Sequence, residues 1–302
     1  MDIDQEIDRL IDIALREDIA TGDITSDACI PDDAWTHGAL ITKQSGTLAG
    51  LPYLGQIFHK VDPRIDVELL VEEGSTHKAG AAIAMVEGPA RAILSAERTV
   101  LNFLQHACGV ATMTAAYVRK LAGYECEVMD TRATLPGLRA LEKYAVKVAG
   151  GTIHRYGLDD RFIIKKNHLA LIEDKHPRPI IEAVRCAKAF RPDVQIEVEV
   201  NRLEQLDEAL QTEVFAIMLD NVSPAQAKRF VKKIHAAKKK AYLQGSAGIG
   251  LDTIREYAET GVDGISIGAI TQAADNLHIS MRLACNREEL QVFSAAMATR
   301  RK

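Results

Sequence analysis

Several features that would place this chain in common functional classes are missing from its sequence. There is no excess of positive charge: the formal net charge is −5 at pH 7, which excludes a general attraction to nucleic acid or anionic membranes. No apolar run approaches the ~18 residues of a membrane-spanning helix. Residues 1–18 are acidic and amphipathic, unlike a secretory signal or a transit peptide. We therefore expect a cytoplasmic protein with no nucleic-acid or membrane partner.

Cysteine pairs and familiar catalytic motifs are also missing. The five cysteines are widely spaced and form no C-x-x-C pair, which argues against a zinc site and against a disulfide framework. No G-x-S-x-G elbow or Ser-His-Asp pattern is present, so nothing indicates a serine hydrolase. No G-x-G-x-x-G follows the first strand of the α/β part, which weighs against a dinucleotide-binding sheet.

The chain changes character along its length. Residues 4–18 carry a helical apolar stripe, residues 37–90 carry short β-type runs typical of a small antiparallel sheet, and residues 93–121 predict a long helix with a break near Cys108-Gly109. From about residue 125, short apolar strands alternate with helices, which are predicted at 137–149, 178–190, 203–210, 224–237 and 251–259. About six such units favour a β/α barrel, with an open doubly wound sheet as the alternative. A last helix is predicted over 280–302.

The stretch from Asp130 to His168 concentrates positive charge in a chain that is acidic overall. Its basic residues are Arg132, Arg139, Lys143, Lys147, His154, Arg155, Arg161, Lys165, Lys166 and His168. Lys143, Lys147 and Arg161 fit surface positions on helices. Arg132, Arg155 and Lys165 instead fit a pocket for a substrate rich in negative charge. His154 and His168 are candidate proton carriers or hydrogen-bonded spacers.

Two carboxylates close adjacent predicted strands. Glu199 ends IEVEV, where alternation places Glu197 on the same face, and Asp220 ends AIMLD. Glu199 and Asp220 could hold Mg²⁺ together with substrate phosphates, act as an acid–base pair, or be buried partners of the basic residues. The loops 245–248 and 267–269 could offer backbone N–H groups to a phosphate. The residues thus predict an anion-binding β/α enzyme that acts on a phosphosugar with a divalent metal.

Long ordered motifs extend this interpretation. They are EDIATGDIT, AGLP, VEGPARAILSAERTVLNFLQHACGVAT, DTRATLPGLRALEKYAVKVAGG, HRYGLDDRFIIKKNH, EVEVNRLEQLDEAL, IMLDN and YAETGVDGISIGAIT. With these motifs the chain resembles the quinolinate phosphoribosyltransferase family of type II phosphoribosyltransferases over residues 15–283. The resemblance implies an α/β fold: an N-terminal α/β sandwich domain over 1–112, joined by helix 280–302, and an incomplete β/α barrel over 113–279. It also implies formation of nicotinate mononucleotide, CO₂ and pyrophosphate from quinolinate and phosphoribosyl pyrophosphate in NAD biosynthesis.

The same resemblance implies roles for individual residues. The implied substrate-binding residues are Arg98, Arg132, His154, Arg155, Lys165, Ser246, Gly248 and Gly268. Among them, the arginines and Lys165 would hold the pyridine dicarboxylate, and Ser246 and the two glycines would lie against the 5-phosphate. Glu199 and Asp220 would hold Mg²⁺ and the ribose hydroxyls, and these two residues with Lys165 are the implied catalytic group. A homodimer, or a higher oligomer, is implied, in which Arg98 reaches the partner's barrel.

The sequence departs from the family pattern on the same face. Ala133 stands where the family has lysine, Gln244 where it has glutamate, and Lys166 where it has an acidic residue. The other departures are Ile153, Ala247, Gln272 and His278. Such clustering predicts a changed or relaxed acceptor, unless Lys166 restores the charge lost at position 133. The alternatives left open are a divergent member that acts on another heteroaromatic acid and a non-catalytic dimeric binding protein.

Overall fold

The computed structural model describes residues 2–173, 175–246 and 248–284. The α-helices in this part of the chain are α1 (Ile3–Ile19), α2 (Ile24–Cys29), α3 (Leu54–Val61), α4 (Ala90–Lys120), α5 (Arg139–Val148), α6 (Lys166–Glu173), α7 (Pro179–Phe190), α8 (Leu203–Ala209), α9 (Pro224–Ala236), α10 (Ile254–Ala258) and α11 (Ala269–Gln272). The strands are β1 (Trp35–Thr42), β2 (Gly46–Thr47), β3 (Asp66–Leu69), β4 (Thr76–His77), β5 (Ala82–Pro89), β6 (Glu127–Met129), β7 (Phe162–Ile164), β8 (Ile196–Val200), β9 (Ala216–Asp220), β10 (Tyr242–Ser246), β11 (Gly264–Ser266) and β12 (Ile279–Ala284). Among the described residues, no helix combines the length and the apolar character needed to cross a bilayer.

Two compact units interleave along the chain. The first comprises the residues up to Ala115, Thr134–Ala149 and the segment that begins at Thr271; the second comprises Ala116–Ala133 and Gly150–Ile270. The division into domains 1–112 and 113–279 stays a prediction. The two compact units are defined by packing contacts, which do not show which parts of the chain fold independently.

The first unit is built on an antiparallel sheet with the strand order β12-β1-β5-β3. Successive residues of β1 pair with β5 on one side and β12 on the other. The last five residues of β1 are buried, which fits a central strand covered on both faces. A separate pair, β2 and β4, is also antiparallel. The antiparallel N-terminal sheet predicted from the glycine-punctuated runs is therefore confirmed.

The helix predicted from residue 280 is wrong at its start. Ile279–Ala284 form β12, which pairs antiparallel with β1 from Thr42 to His37. Period-2 pairing with a strand from the other end of the chain overrides the local helical pattern here. The strand β12 joins this segment to the first unit, as the predicted helix was expected to do. The remaining residues of that helix, 285–302, lie outside the described residues.

The long helix α4 continues without the break predicted near Cys108-Gly109. A side chain at Gly109 would place its Cβ 2.2 Å from the backbone oxygen of Asp275. The glycine therefore marks a close approach of backbone to the helix and not a helix end, and the break was predicted from a residue whose role is packing.

The second unit contains a six-stranded parallel sheet in the order β6-β11-β10-β9-β8-β7. Strands β7 to β11 pair in chain order, and β11 also pairs with β6. This is the strand order of a barrel that is open between β6 and β7. The predicted incomplete β/α barrel is confirmed. The helix α6, which follows β7 directly and begins at Lys166, was not predicted.

Candidate active site

The interior face of the parallel sheet is defined by side-chain alternation in β8 and β10. All five residues of β8 are buried, with Glu197 and Glu199 on one face. The strand register places Glu199 beside Met218, and Met218 beside Gln244. A Cβ on Gly245 would contact Tyr257 of α10 at 3.9 Å, so Gly245 faces the helices. Gln244 and the residues registered with it therefore face the barrel interior.

Lys165 and Glu199 meet at the carboxyl ends of neighbouring strands. The Lys165 Nζ lies 2.5 Å from Glu199 Oε1. The Glu199 side chain is 10% exposed and the Lys165 side chain 47% exposed, so the pair is open to ligands from the lysine side. The backbone N–H of Lys165 donates to Nδ1 of His168 at 2.9 Å, which ties the start of α6 to the strand end. His168 thus serves the backbone, while Lys166 is exposed at the first residue of α6.

His154 is held on both sides inside the barrel. Its backbone N–H donates to Oδ1 of the buried Asp130 at 2.8 Å. Its Nε2 lies 2.8 Å from Oε2 of the fully buried Glu197. Arg161 Nη1 approaches the same carboxylate oxygen at 3.3 Å. His154 is therefore fixed in orientation by two acids, as expected for a hydrogen-bonded group beside a charged pocket.

Arg155 lies in a crowded positive environment. It is buried, and its Nη1 donates to the backbone oxygen of Arg161 at 2.8 Å. Burial lowers the pKa of its guanidinium, and the nearby charges of Arg132 and Arg161 lower that pKa further, while Glu197 opposes the shift. The predicted neighbours Arg132 and Arg155 are thus within electrostatic reach of each other. An anionic ligand at this position would relieve their repulsion.

Two of the three surface assignments made for basic residues are wrong. Lys143 is fully buried in α5, and Arg161 is largely buried with its guanidinium 5.0 Å from the ring centroid of Phe215. Lys147 is exposed as predicted. Sequence spacing did not identify these buried cations, because a buried charge requires partners that come from distant parts of the chain.

Asp220 and Ser246 are registered partners at the ends of β9 and β10. Asn221 follows with φ of 52°, and its N–H donates to the Ser246 oxygen at 3.1 Å. Gly248 has φ of 68° and is exposed. Gly268 lies between β11 and α11. Ser246 therefore ends a strand, and Gly248 and Gly268 follow the carboxyl ends of strands. Their role as a phosphate loop stays a prediction, and Ala247 lies outside the described residues.

Arg98 belongs to the first unit. It is an exposed residue of α4. Ala133 lies in the turn after β6, where its N–H donates to Oγ1 of Thr131 at 2.9 Å. The turn that carries Arg132 is thereby closed locally, without a cation at position 133.

The donor set suits a hard divalent cation held jointly with substrate. Within the described residues, no group of three or more His, Cys, Asp or Glu side chains could hold a metal ion. Glu199 and Asp220 nevertheless offer carboxylate oxygens on adjacent strands. Mg²⁺ commonly binds through one or two carboxylates with water and substrate phosphates, so these residues fit Mg²⁺ and do not fit a metal bound by protein alone.

The sequence did not indicate two features of this region: Glu197 as the partner of His154, and Gln244 as a group facing the interior. The alternation in IEVEV was the available signal for Glu197, because Glu197 shares the face of Glu199. Gln244 was noted only as a departure from a family pattern.

Comparison with known proteins identifies relatives along nearly the whole chain. The family described as "Quinolinate phosphoribosyl transferase, N-terminal domain" matches residues 23–108, and the corresponding C-terminal domain family matches residues 110–282. The nicotinate-nucleotide pyrophosphorylase [carboxylating] of Mycobacterium leprae is 38% identical, covering 89% of this chain and 94% of the relative. A probable nicotinate-nucleotide pyrophosphorylase [carboxylating] of Bacillus subtilis is 37% identical, covering 95% and 96%. The structure of the nicotinate-nucleotide pyrophosphorylase from Francisella tularensis superposes with a TM-score of 0.84 at 35% identity, covering 94% and 98%.

Proposed function

The chain belongs to the quinolinate phosphoribosyltransferase family, and on that premise we propose that it makes nicotinate mononucleotide, CO₂ and pyrophosphate from quinolinate and phosphoribosyl pyrophosphate. This reaction would supply NAD biosynthesis. The observation that carries the proposal is the pair of Lys165 and Glu199 at the carboxyl ends of neighbouring strands. Two arginines, Arg132 and Arg155, lie within electrostatic reach of each other, and Asp220 ends the strand next to that of Glu199.

Quinolinate suits the positive part of the site. It carries two carboxylates, and planar guanidinium groups bind carboxylates by paired hydrogen bonds. Burial and the charge of Arg132 lower the pKa of Arg155. A bound dianion would therefore stabilise the charged guanidinium of Arg155. Lys165 adds a point charge next to Glu199. His154, held by Asp130 and Glu197, contributes an oriented donor or acceptor at the same place.

Phosphoribosyl pyrophosphate suits the other part. Ser246 and the turns at Gly248 and Gly268 would receive the 5-phosphate, since they follow strand ends and offer backbone N–H groups. Glu199 and Asp220 would hold Mg²⁺ and the ribose. When bound, Mg²⁺ would neutralise the charge that develops on departing pyrophosphate.

The protein's contribution is to position charge. The ring nitrogen of quinolinate forms a bond to C1 of the ribose as the C1–oxygen bond to pyrophosphate breaks. The resulting pyridinium accepts the electron pair left when the 2-carboxylate departs as CO₂, and a proton then occupies C2. Arg132, Arg155 and Lys165 hold the acceptor in line with C1, which makes a bimolecular reaction effectively intramolecular. Fixed charges in a partly buried site stabilise charge development more than water does.

The proposal includes a homodimer, or a higher oligomer, with shared sites in the cytoplasm. Exposure of Arg98 on α4 supports a shared site, because the resemblance assigns this residue to the substrate pocket of a partner. The four cysteines in the described part of the chain are free thiols, as is usual in a reducing compartment.

A second candidate acceptor is favoured by one observation. Ala133 follows Arg132 and carries no charge, so the pocket lacks the lysine that the family pattern has at position 133. Lys166, which has the opposite charge to the family residue, is exposed at the start of α6. A heteroaromatic acid other than quinolinate would suit such a pocket.

One assay tests these functions. Purified protein is incubated with Mg²⁺, phosphoribosyl pyrophosphate and quinolinate, and nicotinate mononucleotide is followed by mass spectrometry. Product at a kcat/KM of about 10⁴ M⁻¹s⁻¹ or above supports the proposal. Binding of phosphoribosyl pyrophosphate without turnover of quinolinate supports another acceptor. Binding of neither substrate overturns both and supports a non-catalytic binding protein.

A further inference from the structure

Gln244 has a buried amide whose hydrogen-bonding capacity is unused within the described protein. Its side chain is fully buried in β10. Neither Oε1 nor Nε2 has a hydrogen-bond partner among the described residues. A buried amide left unpaired destabilises the fold, so a partner from outside the chain is indicated.

The amide faces the part of the barrel where the substrates are proposed to bind. Gln244 shares its face with Ser246, two residues further toward the carboxyl end of the strand. It is registered with Met218, which is in turn registered with Glu199. The side chain therefore lies in the layer of Glu199, one layer below the strand ends.

Nearby polar groups are committed elsewhere. On the amino-terminal side, the Tyr242 hydroxyl donates to Glu127 Oε2 at 2.8 Å. It also fills the space beside Gly264, where a Cβ would lie 2.2 Å from it. The carboxylate of Glu199 is paired with Lys165, and the Ser266 hydroxyl donates to the Gly245 oxygen at 3.4 Å. Tyr242 thus closes the amino-terminal side of the amide, and a partner can approach from the carboxyl ends of the strands, where the substrates are proposed to bind.

The chemistry of the amide selects the partner. Oε1 requires a donor and Nε2 requires an acceptor. The carboxylates and ring nitrogen of quinolinate only accept, and so do ionised phosphates. Among the groups of the two proposed substrates, only the ribose hydroxyls both donate and accept. Accordingly, we propose that Gln244 binds a ribose hydroxyl of phosphoribosyl pyrophosphate and makes the site selective for ribose over deoxyribose. This inference rests on the proposed function.

Binding measurements on Gln244→Met test the contact directly. Methionine has a similar shape but lacks both polar groups. Isothermal titration with Mg²⁺ compares phosphoribosyl pyrophosphate with its 2-deoxy and 3-deoxy analogues in the native protein and the variant. The native protein should lose about tenfold in affinity for one deoxy analogue, as for a buried hydrogen bond. Gln244→Met should discriminate several-fold less between that analogue and the parent ligand, and the discrimination that remains belongs to Glu199 and Asp220. Equal discrimination in both proteins, or an unchanged affinity of the variant for the parent ligand, would overturn the proposal.

Two controls separate ligand binding from folding. Without ligand, Gln244→Met should have an equal or higher Tm, because an unpaired amide is removed; a lower Tm would show that the fold itself satisfies the amide and would overturn the proposal. Gln244→Glu keeps the shape but loses the donor, and should fall between the native protein and Gln244→Met in affinity. Affinity of quinolinate should stay unchanged in both variants.

The same titrations distinguish this inference from the proposed function. The native protein could fail to convert quinolinate and still bind phosphoribosyl pyrophosphate more tightly than the deoxy analogue, with a smaller difference in Gln244→Met. This result would support the ribose contact and overturn only the proposed acceptor. A native protein that binds no phosphoribosyl pyrophosphate would overturn both.

Discussion

The Glu197 carboxylate and the His154 imidazole form a buried hydrogen bond of 2.8 Å between Oε2 and Nε2. In the tautomer that carries its proton on Nε2, His154 donates to this carboxylate. Arg161 shares the same carboxylate, which makes Glu197 the common anchor of a histidine and an arginine from the charged stretch. The orientation of His154 therefore depends on an acid outside the predicted catalytic group.

Loss of this anchor should destabilise the fold far more than loss of a surface acid. Glu197→Ala leaves Arg161 and His154 without their buried partner, and the free energy of unfolding should fall by about 3 kcal/mol or more. Glu213→Ala is the matched control, because its 2.6 Å pair with Lys188 is exposed; it should leave the free energy of unfolding nearly unchanged. Urea denaturation followed by circular dichroism measures both. Similar effects of the two substitutions would contradict an anchoring role.

The strand ends were more predictable than the residues that support them. Continuous apolar runs identified β6 to β11, and alternation in IEVEV placed Glu199 correctly on the interior face. Lys165 was predicted in the pocket, and its pairing with Glu199 agrees with that placement. The burial of Lys143 was not predictable, because it depends on tertiary packing that spacing does not encode. The strand β12 was not predicted, because the strand with which it pairs lies near the opposite end of the sequence.

Arg132 should be required for activity. Arg132→Ala removes an exposed guanidinium that lies within electrostatic reach of Arg155, and kcat/KM for quinolinate should fall at least about 100-fold, near 3 kcal/mol of transition-state stabilisation. Arg191→Ala is the control, since Arg191 is an exposed arginine paired with Asp193, and it should leave kcat/KM unchanged. A loss below about fivefold for Arg132→Ala would remove this residue from the site.

Shared sites should be revealed by mixing inactive chains. Arg98→Ala and Glu199→Ala should each be inactive as homodimers. A heterodimer of the two contains one site with both defects and one site with neither, so activity should reappear after co-expression with two affinity tags. Recovery is measured on heterodimer purified through both tags. An inactive heterodimer of normal size and Tm would show that Arg98 does not serve a partner's site.

Acid should reveal the role of Asp23 in the first unit. Hydrogen bonds from Ser26, Ser95 and Thr25 lower the pKa of this N-cap carboxyl below its usual 3.8. A lowered folded-state pKa contributes stability above pH 3.8, and that stability is lost as pH falls through the folded pKa. Asp23→Ala should therefore cost about 1 kcal/mol at neutral pH and progressively less below pH 3.8. Thermal unfolding of both proteins between pH 2 and pH 7 measures this difference, and a gap independent of pH would contradict the assignment.

Removal of Mg²⁺ should abolish activity through Glu199 and Asp220. Chelation should stop product formation, and added Mg²⁺ should restore it. Glu199→Gln and Asp220→Asn each remove one anionic oxygen ligand, so the Mg²⁺ concentration for half-maximal activity should rise at least about tenfold. Glu197→Gln is the control on the same strand, since its carboxylate is committed to His154 and Arg161; its Mg²⁺ requirement should not change. If only Asp220→Asn shifted the requirement, Glu199 would be the partner of Lys165 and not a metal ligand. Activity that persists after chelation would eliminate the metal from the proposal.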